Sequence, residues 1–481
     1  MSKYTFFKSV AFLLGPLWCV ALLAIPGNVI NSGMDPVIAV AGWMVIWWIT
    51  EAVSISVTAL LPLALFPLLG IMDIKTVSSN YANPIVYLFF GGFVIALALE
   101  KVQLHKRIAL SILKITGTKA NGIILGFMIA TALMSMWISN TASTVVMLPI
   151  AVSVIALLRN DADGFTQKDQ NFALAIMLGI AFSANIGGMA TLIGTPPNSV
   201  MLAFLNEQYS IDIGFFQWMK MGVPFSLIML IITYSAIVHV FYPNGLGTIK
   251  SSGKIIQKEL DKLGSMSRGE KVVLIIFLLT AVSWMLRGII NSWFPELNLT
   301  DTTIAMIAAL SMFIVPLDLK KAKFPLSWED TTKLPWGILI LFGGGLALAS
   351  GLTQGGFIDM IGDFIASQNN WSIWFITTVL ITLMLFMTEL MSNVALVTIL
   401  VPLVVGIALG LETPILNMVI PVTLASSCAF MLPMATPPNA IVFASGHIKV
   451  SQMARIGIIL NIISVLLLCL VAYYIIPLIF Q

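Results

Sequence analysis

The chain has 481 residues, of which 59% are hydrophobic and only 9% charged, where a soluble chain carries about 25% charged residues. A water-soluble fold is excluded, and the apolar residues come in solid runs of spanning length, which suits membrane helices and not the weaker alternation of a barrel. The formal net charge of +3 is no nucleic-acid signature, because the basic residues sit in short loops, where they report topology.

In chain order, Lys3 and Lys8 precede an apolar run that starts near Val10. No A-x-A site follows, so the run is expected to be a retained first span over 10–30, ending near Pro26-Gly27-Asn28. Residues 36–71 are expected to hold two more spans, Pro36 to Val53 and Ser54 to Ile71, the latter bent at Pro62 and Pro67. Glu51, after Trp47-Trp48-Ile49-Thr50, stands near a helix end, where a charge snorkels or pairs. Pro84 to Leu99 is a fourth span containing Phe89-Phe90-Gly91-Gly92-Phe93, followed by a helical-looking basic stretch with Lys101, Lys106, Arg107, Lys114 and Lys119. Residues 121–158 carry Ser135-Met136-Trp137-Ile138-Ser139-Asn140-Thr141-Ala142 in their middle. Residues 170–205 are interrupted by Gly194-Thr195-Pro196-Pro197-Asn198, and 220–242 form a further span.

Residues 243–271 are the substantial polar segment, with Lys250, Lys254, Lys258, Lys262, Arg268 and Lys271. Glu259, Asp261 and Glu270 are interspersed, which makes it a solvated linker and not a nucleic-acid arm. Spans at 272–292 and 302–317 follow, and the motifs then return. Trp336 to Ser350 contains Phe342-Gly343-Gly344-Gly345, the middle of 373–409 reads Thr388-Glu389-Leu390-Met391-Ser392-Asn393-Val394-Ala395, and 413–446 carries Ala435-Thr436-Pro437-Pro438-Asn439. Cys19, Cys428 and Cys469 lie in apolar surroundings without metal-ligand spacing and read as packing residues.

The spacing makes this an internal repeat. Gly91 and Ser139 are 48 residues apart, and Gly343 and Ser392 are 49 apart. Charge gives the hand of the repeat. Segment 101–119 is strongly basic, whereas 351–372 has Asp359 and Asp363 and no Lys or Arg. Arg159 and Lys168 mark 159–169 as inside, and Glu412 marks 410–417 as outside. The expected fold is therefore an all-α polytopic membrane protein with inverted repeats, about eleven full spans and two re-entrant hairpins. Its expected divisions are N-terminal scaffold spans over 1–83, a first repeat over 84–219 (hairpin 121–158, broken helix 170–205) and linking spans over 220–335 around a cytoplasmic loop, 243–271. A second repeat over 336–446 (hairpin 373–409, broken helix 413–446) and a final span over 447–481 complete it. The N-terminus is expected inside and Gln481 outside a bacterial cytoplasmic membrane.

The four motifs are the places where a helix cannot continue. Irregular backbone at membrane depth is tolerated only where protein or a water-filled cavity covers it. Paired prolines remove N–H groups and push the preceding residue out of the helix. The half-helix that starts at them points a partly positive end into the gap, which suits an anion, while freed carbonyls suit a small hard cation. No Lys, Arg or His lies within the motifs; His105, His239 and His447 stand elsewhere. An anion held there is met by helix ends, amides and hydroxyls, or by bound cations that couple it to a sodium gradient. Glu389 either braces its hairpin or acts electrostatically on a cation.

At these residues the chain resembles the divalent anion/sodium symporter family, the bacterial relatives of the sodium-dependent di- and tricarboxylate carriers. The resemblance runs over nearly the whole chain, from Trp47-Trp48-Ile49-Thr50-Glu51 and Thr58-Ala59-Leu60-Leu61-Pro62 through both Gly-Gly spans and all four motifs. It implies a homodimer in membrane lipid, with a scaffold domain and a transport domain that moves like an elevator. It implies one sodium site at Ser135, Ser139, Asn140 and Gly194, and another at Thr388, Met391 (through its carbonyl), Asn393 and Ala435. It places the substrate carboxylates on Ser139, Asn140 and Thr141, on Ser392 and Asn393, and on Thr195, Thr436 and Pro437. Val394 departs from the pattern, standing where a second Thr is common; Val donates no hydrogen bond, so the second carboxylate is expected to be gripped differently.

The expected function is sodium-coupled import of C4-dicarboxylates such as succinate, malate and fumarate, with Na+ co-transported and no organic cofactor. A sodium-independent dicarboxylate exchanger and a sodium-coupled sulfate or citrate carrier stay open as alternatives. An intramembrane enzyme is disfavoured because Ser139 and Ser392 lack a nearby base and no HExxH or paired intramembrane Asp is present. A channel would carry a filter or charged ring in place of two capped half-sites.

Overall fold

Solid apolar runs with no alternation leave the backbone one way to satisfy its polar groups in lipid, and the chain is helical nearly throughout. The computed structural model describes residues 6–25, 33–159, 165–367 and 372–480. Among these, no named strand occurs, only the isolated bridges Lys119–Thr248 and Asp318–Lys323. Within the described residues, eight helices are long and apolar enough to cross a membrane, with shorter apolar helices between them. The expected end of the first span at Pro26-Gly27-Asn28, and both chain termini, fall outside the described residues.

Most expected spans appear close to their sequence bounds: Asp35–Thr50, Pro84–Lys101, Phe215–Ser235, Arg268–Trp293, Asp301–Ile314, Trp336–Gln354 and Val450–Leu470. The span expected over 54–71 is instead two short helices, Ile55–Thr58 and Leu61–Leu68. Pro62 begins the second and Pro67 sits near its end, each lacking an N–H, and Gly70 at φ +69° then turns the chain. Three amphipathic helices, Ile74–Tyr81, Leu104–Thr116 and Phe357–Ala366, bury one face each. The first and third lie in stretches where no helix was expected.

Packing centres on Gln167–Gly188, which is almost wholly buried, unlike the mostly uncovered Arg268–Trp293 at the periphery. Small residues let the two glycine-rich spans sit close to their neighbours. A Cβ at Gly91 would lie 2.7 Å from the Ala305 Cβ, and one at Gly344 only 2.2 Å from the Ala59 carbonyl oxygen. Phe89 and Phe342 meet edge to face with ring centroids 5.3 Å apart, joining the two glycine-rich spans.

The basic stretch after the first glycine-rich span is clamped. Arg107 donates from Nε to Glu270 Oε1 at 2.5 Å and from Nη1 to the Gly264 carbonyl at 3.0 Å, closing the end of helix Lys250–Leu263. Lys106 pairs with Glu259 at 2.9 Å. Hydrogen bonds from Lys262 and Lys106 hold the Glu259 carboxyl below the usual carboxylate range. Because that value is lowered on folding, the pairing contributes at neutral pH and is lost as pH falls through it.

The Gly344 contact gives a direct check. Gly344→Ala is expected to lower stability by about 1–3 kcal/mol through overpacking against Ala59, seen as a lower unfolding temperature in detergent; an unchanged temperature would contradict the packing.

Candidate functional site

Each Ser-Asn motif turns a hairpin. Helix Ala120–Ser135 stops, Met136 to Ser139 reverse the chain, and helix Asn140–Arg159 returns. Helix Ile373–Thr388 and helix Asn393–Gly410 repeat this around Glu389 to Ser392. The serine caps each return helix: Ser139 Oγ accepts from Ala142 N at 3.2 Å, and Ser392 Oγ from Ala395 N at 3.5 Å. Each Thr-Pro-Pro-Asn motif restarts a broken helix. Helix Gln167–Gly188 gives way to helix Pro196–Tyr209, and helix Ile415–Ala425 to helix Pro437–Ala444. Thr195 and Thr436 stand extended before the prolines, at φ −142° and −144°.

All four breaks open into one cavity of about 940 Å³. Its wall includes Ser139, Asn140 and Thr141, Gly194 and Thr195, Met391 to Val394, and Ala435 to Pro437. Four helix N-termini, at Asn140, Pro196, Asn393 and Pro437, therefore end on one space, each contributing partial positive charge. Ser135 and Thr388 do not line it; they lie one layer behind, fully buried. A second, larger cavity of about 1070 Å³, lined by residues such as Lys101, Arg268, Lys321 and Phe313, contains none of the motifs, so size alone does not select the site.

Behind the cavity the two copies build the same cluster. Ser135 Oγ lies 2.6 Å from Asn140 Oδ1 and 2.6 Å from the Ala184 carbonyl oxygen. Thr388 Oγ1 lies 2.7 Å from Asn393 Oδ1 and 2.8 Å from the Ser426 carbonyl oxygen. A hydroxyl owns one proton, so it satisfies one of its two acceptors and faces the other oxygen bare. Three oxygens around one proton form an electron-rich nest of the hard-donor kind that holds a small cation. In the first copy the backbone is pressed close: a Cβ at Gly188 would fall 2.6 Å from Asn140 Oδ1, and one at Gly194 would fall 2.5 Å from the Gly188 carbonyl.

Glu389 is 3% exposed and braces its hairpin. Its Oε1 accepts from Phe430 N and Met431 N, both at 2.9 Å, and from Asn461 Nδ2 at 2.8 Å; its Oε2 accepts from Leu432 N at 3.0 Å. The carboxylate thereby holds the unwound stretch before Ala435. Asn439 helps, donating to the carbonyls of Ala429 and Leu432 at 3.1 Å each. In the first copy the unwound stretch is held by other means: Thr191 Oγ1 donates to the Met136 carbonyl at 2.6 Å, and Asn198 donates to the Thr191 carbonyl at 2.9 Å.

Several lining residues carry no local sequence signal. Lys8, Glu51, Glu100 and Lys333 add charges to the cavity from segments far from the motifs. Lys8 is held by the Glu51 carbonyl at 3.1 Å. Trp137 lies inside a motif, yet its role is visible only in the fold: its ring stacks near Phe215 and meets Phe277 edge-on at 4.8 Å, pinning the first hairpin tip to helices Phe215–Ser235 and Arg268–Trp293.

Apolar spans around a central, polar, two-copy cavity define a multi-pass membrane transporter. The family model described as the sodium:sulfate symporter transmembrane region matches residues 6–480, and the chain belongs to that family. A sodium-dependent dicarboxylate transporter, SdcS, of Staphylococcus saprophyticus is 38% identical over 481 residues, covering 99% of this chain and 92% of the relative. The protein of the same name from Staphylococcus aureus (strain USA300) is 37% identical over 476 residues, covering 98% and 91%. Among solved structures, the Alcanivorax borkumensis YdaH transporter shares the fold with a TM-score of 0.52 at 12% identity, over 83% of this chain and 87% of the other.

The bracing role of Glu389 is open to a stability test. Glu389→Gln replaces an acceptor oxygen by a donor facing backbone N–H groups and is expected to cost about 1.5–3 kcal/mol. The check is thermal unfolding in detergent, where a variant as stable as the parent would contradict the brace.

Proposed function

We propose that the protein is a sodium-coupled symporter that imports C4-dicarboxylates such as succinate, malate and fumarate across the bacterial cytoplasmic membrane. The observation that carries this reading is the pair of three-oxygen, one-proton clusters directly behind a cavity on which four helix N-termini end. The clusters suit two small cations and the helix ends suit an anion with two charged groups, so neither ligand needs a fixed opposite charge inside the motifs. Each also supports the other: cations bound behind the cavity neutralise part of the dianion, which is how a sodium gradient would drive uptake. The names of the SdcS relatives point the same way.

In this reading one sodium ion binds at Ser135, Ser139, Asn140 and Gly194, and a second at Thr388, Met391, Asn393 and Ala435. The carboxylates bind Ser139, Asn140, Thr141 and Thr195 on one side and Ser392, Asn393, Thr436 and Pro437 on the other. Val394 offers only an apolar wall at its position. The divisions set out from the sequence, an inverted-repeat arrangement, a homodimer and an elevator movement of the repeat units against the scaffold spans belong to the same proposal. So do an N-terminus on the cytoplasmic side and a C-terminus outside.

One observation favours a second reading. Lys8 and Lys333 line the cavity beside Glu51 and Glu100, so the lysines bring positive charge near the anion site without any bound cation, as a sodium-independent dicarboxylate exchanger requires, while the two carboxylates offset it.

Asn140 and Asn393 test the cation assignment, because their Oδ1 atoms face the buried hydroxyls. Asn140→Ala and Asn393→Ala are each expected to reduce sodium-driven succinate uptake to background in reconstituted vesicles. Full activity in either variant would refute the cation assignment.

A further inference from the structure

Asn185 belongs to none of the four motifs, yet it stands between the two halves of the site. It follows Ala184, whose carbonyl oxygen is part of the first oxygen cluster. Its side chain is 1% exposed and reaches only second-copy atoms. Nδ2 lies 3.1 Å from Thr436 Oγ1, 3.4 Å from the Ala429 carbonyl oxygen and 3.5 Å from Asn439 Oδ1. Three oxygens around one end of an amide require that end to be the nitrogen. Asn185 Oδ1 is buried with no partner among the described residues, so the side chain is held in place from its donor end alone.

The consequence falls on Thr436. Its hydroxyl oxygen accepts from Asn185 Nδ2 and, at 3.4 Å, from Asn439 N. With both lone pairs engaged, the hydroxyl has only its proton left to offer. Among the described residues no acceptor takes that proton, and Thr436 lines the cavity. A hydroxyl fixed as a donor at the wall of an anion site is set to bind a carboxylate. Thr195 in the first copy makes no comparable side-chain bond among the described residues. Nor is the link reciprocated: the Ser426 carbonyl takes part in the second cluster as Ala184 does in the first, but the next residue there is Ser427, whose buried hydroxyl has no partner among the described residues.

We propose that Asn185 is a positioning residue that couples the first cation cluster to the carboxylate-binding hydroxyl of the second copy. This rests on the sodium-coupled dicarboxylate reading above. A cation bound by Ser135 and Asn140 draws the third oxygen of the cluster, the Ala184 carbonyl, toward it and so anchors the backbone that carries Asn185, and Asn185 in turn holds Thr436 as a donor. By linkage, sodium raises affinity for the dianion through this one side chain, and the dianion raises affinity for sodium by the same factor.

The test is succinate binding to the purified full-length protein across a sodium titration, for the parent, Asn185→Ala, Thr436→Val and the double variant. Losing one buried hydrogen bond is expected to weaken succinate binding about three- to tenfold and to flatten its dependence on sodium. The double variant is expected to bind no worse than Thr436→Val alone, because Asn185 acts through that hydroxyl. Asn185→Asp keeps the shape but offers only acceptors, so the Thr436 proton turns toward it and binding is expected to be as weak as in Asn185→Ala. If Asn185→Ala does not fold, Asn185→Asp carries the same cycle. Additive effects in the double variant, or a sodium dependence equal to the parent's, would overturn the coupling. A parent that binds succinate without regard to sodium would instead refute the reading on which it rests.

Discussion

Backbone polar groups cannot be left bare at membrane depth, and every unusual feature of this chain follows from where it breaks that rule on purpose. A helix interrupted four times in lipid would leave carbonyls and N–H groups unsatisfied at each break. The chain gathers all four breaks around one cavity and fills each with short polar side chains. Ser139 and Ser392 cap the hairpin returns, Asn198 and Asn439 bond the freed carbonyls, and Glu389 collects three freed N–H groups. What is left over after this accounting is chemically specific. Oxygens outnumber protons behind the cavity, and four helix N-termini end on its wall. A site short of cations on one side and of anions on the other is a site for both at once.

The two copies reach this end by unequal means. The hydroxyl–amide–carbonyl cluster is the same in both, down to distances that differ by at most a few tenths of an ångström. The supports are not the same. The second copy depends on a buried carboxylate, the first on the Thr191 hydroxyl and on close glycine contacts at Gly188 and Gly194. A carboxylate can take several N–H donors at once, which suits the longer unwound stretch between Ala425 and Pro437. The shorter gap between Gly188 and Pro196 leaves room for little more than backbone.

Much of this was legible in the sequence because the signals are large. Solid apolar runs declare membrane helices, and Pro-Pro and Ser-Asn within such runs declare breaks. The paired spacing of Gly91–Ser139 and Gly343–Ser392 declares a repeat. The short helices Ile74–Tyr81 and Phe357–Ala366 were not legible as helices: the first is polar enough to resemble a loop, and the second, though apolar, is only ten residues long. The third span dissolved into two pieces because the effect of Pro62 and Pro67 depends on whether neighbours re-satisfy the backbone, which is a tertiary matter. Lys8, Lys333 and Asn185 were invisible for a related reason: each acts on residues far away in the chain, and nothing in the local sequence marks a side chain that reaches across the fold.

The most direct measurement is uptake of labelled succinate into proteoliposomes under an inward sodium gradient, against potassium or choline, with vesicles either empty or preloaded with unlabelled dicarboxylate. Symport is expected to show accumulation in empty vesicles with sodium alone. Uptake that ignores sodium and demands internal dicarboxylate would contradict it.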